Sequence, residues 1–129
     1  MLGYVTLGAR DFARSLEFYD AVLVPLGLAR EFSAPETGWA SWSGAGARLM
    51  ICQPFDGQPP SAGNGVMLGF RCADEAAVDR IHALALARGG SDEGGPGTRE
   101  AYGPDFYVAY ARDPAGNKLS FYVDRTGGA

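Results

Sequence analysis

Side chains able to shuttle protons, attack electrophiles or hold a metal are scarce in this sequence, and that scarcity narrows the chemistry. There is one histidine, His82, and there are two cysteines, Cys52 and Cys72. A nucleophile needs a base beside it, and a histidine-type metal site needs further donors close by. His82 falls on a helical stretch beside its apolar stripe and reads as a partly exposed packing residue. The cysteines have neither CxxC spacing nor a histidine pattern around them, so they read as reduced structural thiols. Arg48 and Arg71 are of the type that grips an anionic group through paired N–H bonds; solvated strand ends are the alternative. Arg99, Glu100, Tyr102 and Asp105 sit in or next to a glycine-rich segment, which suits either a lid or an ordinary connection. Aromatic surface is more plentiful. Trp39, Trp42, Phe55, Tyr107 and Tyr110 stand on or near candidate strands, and aromatic walls with a few polar groups suit a planar or amphipathic small molecule. Core filling is the competing reading for the same residues.

Periodicity supplies the elements that must position them. Residues 2–8 alternate as a strand, with Gly3, Val5 and Leu7 on one side and Leu2, Tyr4 and Thr6 on the other. Asp11 then caps a helix whose apolar face is Phe12, Leu16, Tyr19, Leu23 and Leu26, closed by Pro25 and Gly27. Extended runs follow at 28–34, 37–43 and 47–53. Pro54 to Asn64, with three prolines and two glycines, reads as a linker. The pattern then restarts. Residues 65–72 alternate with Val66, Leu68 and Phe70 on the apolar side, and Asp74 caps a helix buried along Ala77, Val78, Ile81, Leu84 and Ala85. Gly89-Gly90 end it. A glycine-rich segment runs to about Gly97, and 105–112 with 117–123 form a hairpin around Asp113-Pro114-Ala115-Gly116-Asn117.

The restart is an internal repeat. Tyr4 precedes Asp11 by seven residues and Met67 precedes Asp74 by seven; Gly46 precedes Met50 by four and Gly116 precedes Ser120 by four. Two strand–helix–three-strand units are the economical description: module one at about 1–53, linker 54–64 and module two at about 65–124, within a single domain 1–129.

Bulk properties exclude several partner classes. In 129 residues, 47% are hydrophobic and 20% charged, the balance of a globular domain. The net charge is -4, and no Lys/Arg run exists to displace counterions from a nucleic acid. The longest apolar stretches fall well short of the roughly 20 residues a membrane span requires. No basic stretch followed by an apolar run opens the chain, so a cytoplasmic location is expected.

LGYVTLGARDFARSLEFYDAVLVPLGL, VDRIHALALARGG and YVAYARDPAGNKLSFYV together resemble the vicinal-oxygen-chelate (glyoxalase/bleomycin-resistance/dioxygenase) superfamily, with landmarks at Asp11, Ser15, Phe18-Tyr19 and the Asp-Pro-x-Gly-Asn turn. The resemblance spans nearly the whole chain and is weakest between residues 29 and 62. It implies an α+β fold of two tandem βαβββ modules forming curved mixed sheets around a cleft, helices on the convex face, and a homodimer. Relatives hold a divalent metal at positions that correspond here to Tyr4, Met50, Met67 and Ser120. Two thioethers, a hydroxyl and a phenol are a poor donor set for such an ion, so no metal and no other cofactor is expected.

The cleft predicted on this basis is lined by Tyr4, Thr6, Trp39, Trp42, Arg48, Met50, Met67, Arg71, Tyr107, Lys118, Ser120 and Tyr122. Four functions compete: a metal-independent small-molecule binder; a metal-free lyase or isomerase using Tyr4, Ser120 or an acidic rim residue; a metal-dependent lyase or dioxygenase; and a structural subunit.

Overall fold

The computed structural model describes residues 1–126; the last three residues lie outside it. Module one runs β1 (Val5–Gly8), α1 (Phe12–Leu23), a 3₁₀ turn (Val24–Leu26), β2 (Ala29–Ala34), β3 (Trp39–Gly44) and β4 (Ala47–Cys52). Module two runs β5 (Leu68–Arg71), α2 (Glu75–Ala87), β6 (Ser91–Arg99), a 3₁₀ turn (Glu100–Tyr102), β7 (Gly103–Arg112) and β8 (Lys118–Asp124). The repeat read from spacing is a repeat of topology. Each module makes one four-stranded mixed sheet, ordered β1-β4-β3-β2 and β5-β8-β7-β6. In each, the first strand lies parallel to the last and the other neighbours are antiparallel.

Local chemistry accounts for the element boundaries. Free amides at a helix start need acceptors: an Asp11 carboxylate oxygen accepts from the Arg14 N–H at 3.3 Å and one from Asp74 accepts from the Ala77 N–H at 2.8 Å. The Gly90 N–H closes α2 on the Ala85 carbonyl. Two expectations need correction. Val66, assigned to a buried strand side, is exposed, because β5 begins only where Leu68 finds Leu119 as a partner. The glycine-rich segment is a nine-residue strand, β6, held by pairing to β7 through three register irregularities. Tertiary pairing overrides the low strand propensity of glycine.

Each sheet turns one face to a helix. α1 packs across β2, β3 and β4, α2 across β6, β7 and β8, and the helices touch each other. A single core results, joining Phe18, Tyr19, Val22, Leu23, Trp42 and Ile51 of the first module to Val78, Ile81, Leu119 and Phe121 of the second. The β7–β8 turn adds a polar tie. Buried Asp113 accepts from the Tyr19 hydroxyl at 2.6 Å, from Asn117 Nδ2 at 2.8 Å, and from the N–H groups of Ala115 and Asn117 at 2.9 Å. Asn117 Nδ2 also reaches the Gly8 carbonyl at 3.1 Å. His82, expected to be partly exposed, is buried, with Nε2 3.0 Å from an Asp92 carboxylate oxygen on β6. Among the described residues no helix is long and apolar enough to cross a membrane.

A surface tie yields a pH prediction. Arg125 donates two bonds to Glu75 in the first turn of α2, at 3.1 and 2.7 Å. Chiefly through that bond, and then through its own backbone N–H, Glu75 is lowered to about 2. A carboxyl depressed on folding stabilises fully above its unfolded value, about 4.3, and loses that contribution as pH falls toward the folded value. Glu75→Gln is therefore expected to lower stability slightly near neutrality and to flatten the stability loss between about pH 4.5 and about pH 2. Urea unfolding of both proteins across that range checks it; parallel acid limbs would show that the pair contributes nothing. Both partners are about half exposed, so the effect is small.

Candidate functional site

The faces turned away from the helices carry the side chains available to a ligand. On the first sheet Thr6, Met50, Ser41 and Phe32 form one cross-strand row. Glu31 is the residue passed over in the β2–β3 register. It accepts from the Ser41 hydroxyl at 2.6 Å and from Arg48 at 3.0 and 3.1 Å. Those bonds, Ser41 first and then Arg48, hold the Glu31 carboxyl below its usual range. Arg48 is thus committed to a carboxylate of the chain itself, which weighs against the anion-holding reading. Trp39 lies at the edge of this face, opposite Cys52 and about one-third exposed.

Trp42 does not belong to this face. It is fully buried on the helix side, donating its indole N–H to an Asp20 carboxylate oxygen on α1 at 2.9 Å. Tyr107 is likewise on the helix side, its hydroxyl donating to Asp79 of α2 at 2.6 Å, a bond that raises its pKa. Both were assigned to the cleft, and both are corrected by strand phase.

On the second sheet Gly69, Ser120, Tyr110 and Gly94 form one row and Arg71, Tyr122, Val108 and Gly97 the next. Aromatic rings run along this face. Tyr102 meets Phe106 edge-on with centroids 5.7 Å apart, and Phe106 stacks on Tyr122 at 5.4 Å. Arg99 and Lys118 both lie over the Tyr110 ring, 5.6 and 5.3 Å from its centroid. Beneath these side chains Val108 is 1% exposed yet stands outside the main core, and Ser120 is 4% exposed. A Cβ at position 69 would stand 3.1 Å from Ser120 Oγ and 3.3 Å from Tyr122 Cε1, so glycine there avoids crowding the serine and the ring edge. The segment from Arg99 to Tyr102, read as lid or connection, is the end of β6 and a 3₁₀ turn that supplies the first ring of the row.

The four positions that the resemblance matches to metal ligands are distributed as two pairs. Met50 stands opposite Thr6, two residues after Tyr4 at the mouth of β1; Ser120 stands opposite Gly69, two residues after Met67 at the mouth of β5. Tyr4 and Met67 are exposed, Met50 is half-buried and Ser120 is buried. The sheets approach one another at a cavity of about 320 Å³ lined by Leu2, Val5, Arg48, Met67 and Gly69 among others. The donor set does not fit a divalent cation: it holds no imidazole or carboxylate, and among the described residues no group of three His, Cys, Asp or Glu could hold a metal ion. No carboxylate or imidazole is hydrogen-bonded to the Tyr4 or Ser120 hydroxyl among the described residues. Burial pushes the Cys52 thiol up and takes Cys72 to about 11, away from thiolate chemistry.

Glu31, Phe106 and the facing of Tyr110 escaped the sequence reading. A signal existed for two of them. The turn pairs Arg112 with Lys118, so counting back across the hairpin places Tyr110 opposite Ser120 and Phe106 on the same side. No comparable signal marks Glu31, whose facing depends on the register irregularity in β2.

No curated protein matches the chain. A sequence profile of the glyoxalase/bleomycin resistance protein/dioxygenase superfamily matches residues 1–121. Among solved structures, a glyoxalase/bleomycin resistance protein from Albidiferax ferrireducens is 35% identical with a TM-score of 0.83, covering 95% of this chain and 98% of its own. A glyoxalase-related enzyme from Fulvimarina pelagi (19% identity, TM-score 0.79, 96% and 88% covered) and a lactoylglutathione lyase from Agrobacterium tumefaciens (21%, 0.71, 100% and 97%) share the fold. From its profile, its repeated topology and its similarity to the first of these structures, the chain belongs to the glyoxalase/bleomycin resistance protein/dioxygenase superfamily.

Proposed function

We propose that this protein binds a small organic molecule without a divalent metal, on the open aromatic face of the second sheet. The observation that carries the reading is the ring row Tyr102–Phe106–Tyr122 beside Tyr110, with Gly69 leaving room next to Ser120 and the Tyr122 ring edge. Rings offered in this way supply apolar area, while hydroxyls at their tips orient a ligand. The replacement of the metal positions by Tyr4, Met50, Met67 and Ser120 supports metal independence. A catalytic reading through Tyr4 or Ser120 requires a base within reach, and no observation favours one. The chain is further proposed to act as a homodimer. The outer edges of β1 and β5 are unpaired within the chain, and Leu2, Tyr4, Val66 and Met67 are exposed beside them. A reducing, cytoplasmic setting suits two unbridged cysteines.

Two measurements test this. Elemental analysis of purified protein is expected to find sub-stoichiometric nickel, zinc, iron and manganese, and a chelator to leave the melting temperature unchanged; one equivalent of any of these metals would overturn metal independence. In a thermal-shift screen, planar aromatic compounds at about 100-fold above their dissociation constant are expected to raise the melting temperature by roughly 5–12 °C. Tyr122→Ala should abolish the shift. A screen of aromatic and amphipathic compounds without any hit would count against the binding reading. Light scattering after size exclusion reads the dimer directly.

A further inference from the structure

We propose that the ligand of the second sheet's open face is an anion: a small planar molecule whose ring lies against Tyr122, next to Tyr110, and whose carboxylate or comparable group sits at Lys118 and Arg99. The inference rests on that face being the binding site and names the class of molecule it takes. The charge distribution is the first support. Arg30, Arg48, Arg88, Arg112 and Arg125 are each ion-paired to a carboxylate. Arg71, Arg99 and Lys118, which share one face of the second sheet, form no ion pair among the described residues. Arg71 and Lys118 are each partly offset, since Arg71 helps hold Asp124 low, after Thr126, and Lys118 helps hold Glu93 low, after Arg112. Neither Lys118 nor Arg99 has a carboxylate within ion-pair distance among the described residues.

Their position is the second support. Both approach the same ring, at 5.6 and 5.3 Å from its centroid. A cation over a ring gains little where water is close, and two cations gathered at one ring repel each other. An anion at the rim of the ring, within reach of both, lowers the repulsion and accepts charge-assisted bonds. Arg99 is held in place by its bonds to the carbonyls of Gly95 and Thr98 at 2.8 and 3.2 Å, which leave further guanidinium donors unused. Gly94 makes the arrangement possible. Its φ is +152°, and a Cβ there would stand 3.2 Å from both Arg99 Nη2 and Tyr110 Cδ2. The Ser120 hydroxyl, opposite Tyr110 in the ladder, offers a neutral donor at the base of the row.

The test compares three probes of one shape and different charge: naphthoate, naphthamide and naphthylmethylammonium. Affinities are read by calorimetry, and location by NMR shifts of the Tyr110 and Tyr122 side chains. Naphthoate is expected to bind about tenfold tighter than naphthamide, with the ammonium weakest and the preference shrinking as salt rises. Lys118→Gln should weaken naphthoate about tenfold while leaving naphthamide within about twofold. Arg99→Gln should do the same and Arg99→Lys restore most of the loss, which separates charge from loosening of β6. Arg80→Gln, an exposed cation on α2, should change nothing. Equal binding of naphthoate and naphthamide at this face overturns the anion assignment and leaves the site standing. So does a naphthoate preference untouched by Lys118→Gln and Arg99→Gln. If none of the three shifts Tyr110 or Tyr122, both readings fall.

Discussion

Asp113→Ala is expected to destabilise the protein by about 3–5 kcal/mol, a large part of the total stability of a domain this size. The carboxylate accepts four bonds in a buried site: two from backbone N–H groups of its own turn, one from Asn117 Nδ2, and one from the Tyr19 hydroxyl of α1. Alanine removes the acceptor and leaves all four donors, some with no route to water. Each unsatisfied buried donor costs about 1–3 kcal/mol, with partial relaxation lowering the sum. Tyr19→Phe isolates the bond between the modules and should cost about 1–2 kcal/mol, because the turn keeps its internal acceptor. Asp113→Asn should fall between them. One amide oxygen still serves the backbone donors, and the Tyr19 hydroxyl can turn to accept from the new amide. Urea unfolding of the three variants reads the order. A loss for Asp113→Ala below about 1 kcal/mol would mean that water or a local shift satisfies these donors.

The second large effect separates two tryptophans that look alike in the sequence. Trp42→Ala is expected to cost about 3–5 kcal/mol and Trp39→Ala less than about 1 kcal/mol. Trp42 is fully enclosed, its ring centroid 5.7 Å from that of Tyr19, and its indole N–H is satisfied by Asp20. Removing it opens a cavity at the centre of the first module, whereas Asp20, part-exposed and paired to Arg30, keeps a partner. Trp39 already contacts solvent on the open face, so truncation loses little packing. Fluorescence provides a second readout: Trp42 emission should lie to the blue and resist quenching by iodide, while Trp39 is quenched. Equal stability losses, or a readily quenched Trp42, would contradict this placement.

Some of this protein could be read directly from its chain. The caps at Asp11 and Asp74, the turn at Asp113–Asn117 and the repeat of strand–helix–three-strand units all rest on interactions a few residues long. The poor donor quality of thioether, hydroxyl and phenol toward a divalent ion could be read likewise, since donor chemistry belongs to residue type. The facing of Tyr110 and Phe106 was also within reach through the hairpin register. Other features depended on contacts between distant segments. Alternation along a strand says which residues share a face but not which face meets a helix, so Trp42 and Tyr107 could be placed only once α1 and α2 were seen against the sheets. The irregularity at Glu31 decided that Arg48 answers a carboxylate of the chain itself. Pairing with β7 turned a glycine-rich segment into a strand, and with it brought Arg99 over Tyr110. These arrangements arise because a side chain's neighbours across a sheet come from other parts of the sequence, and only packing determines which ones they are.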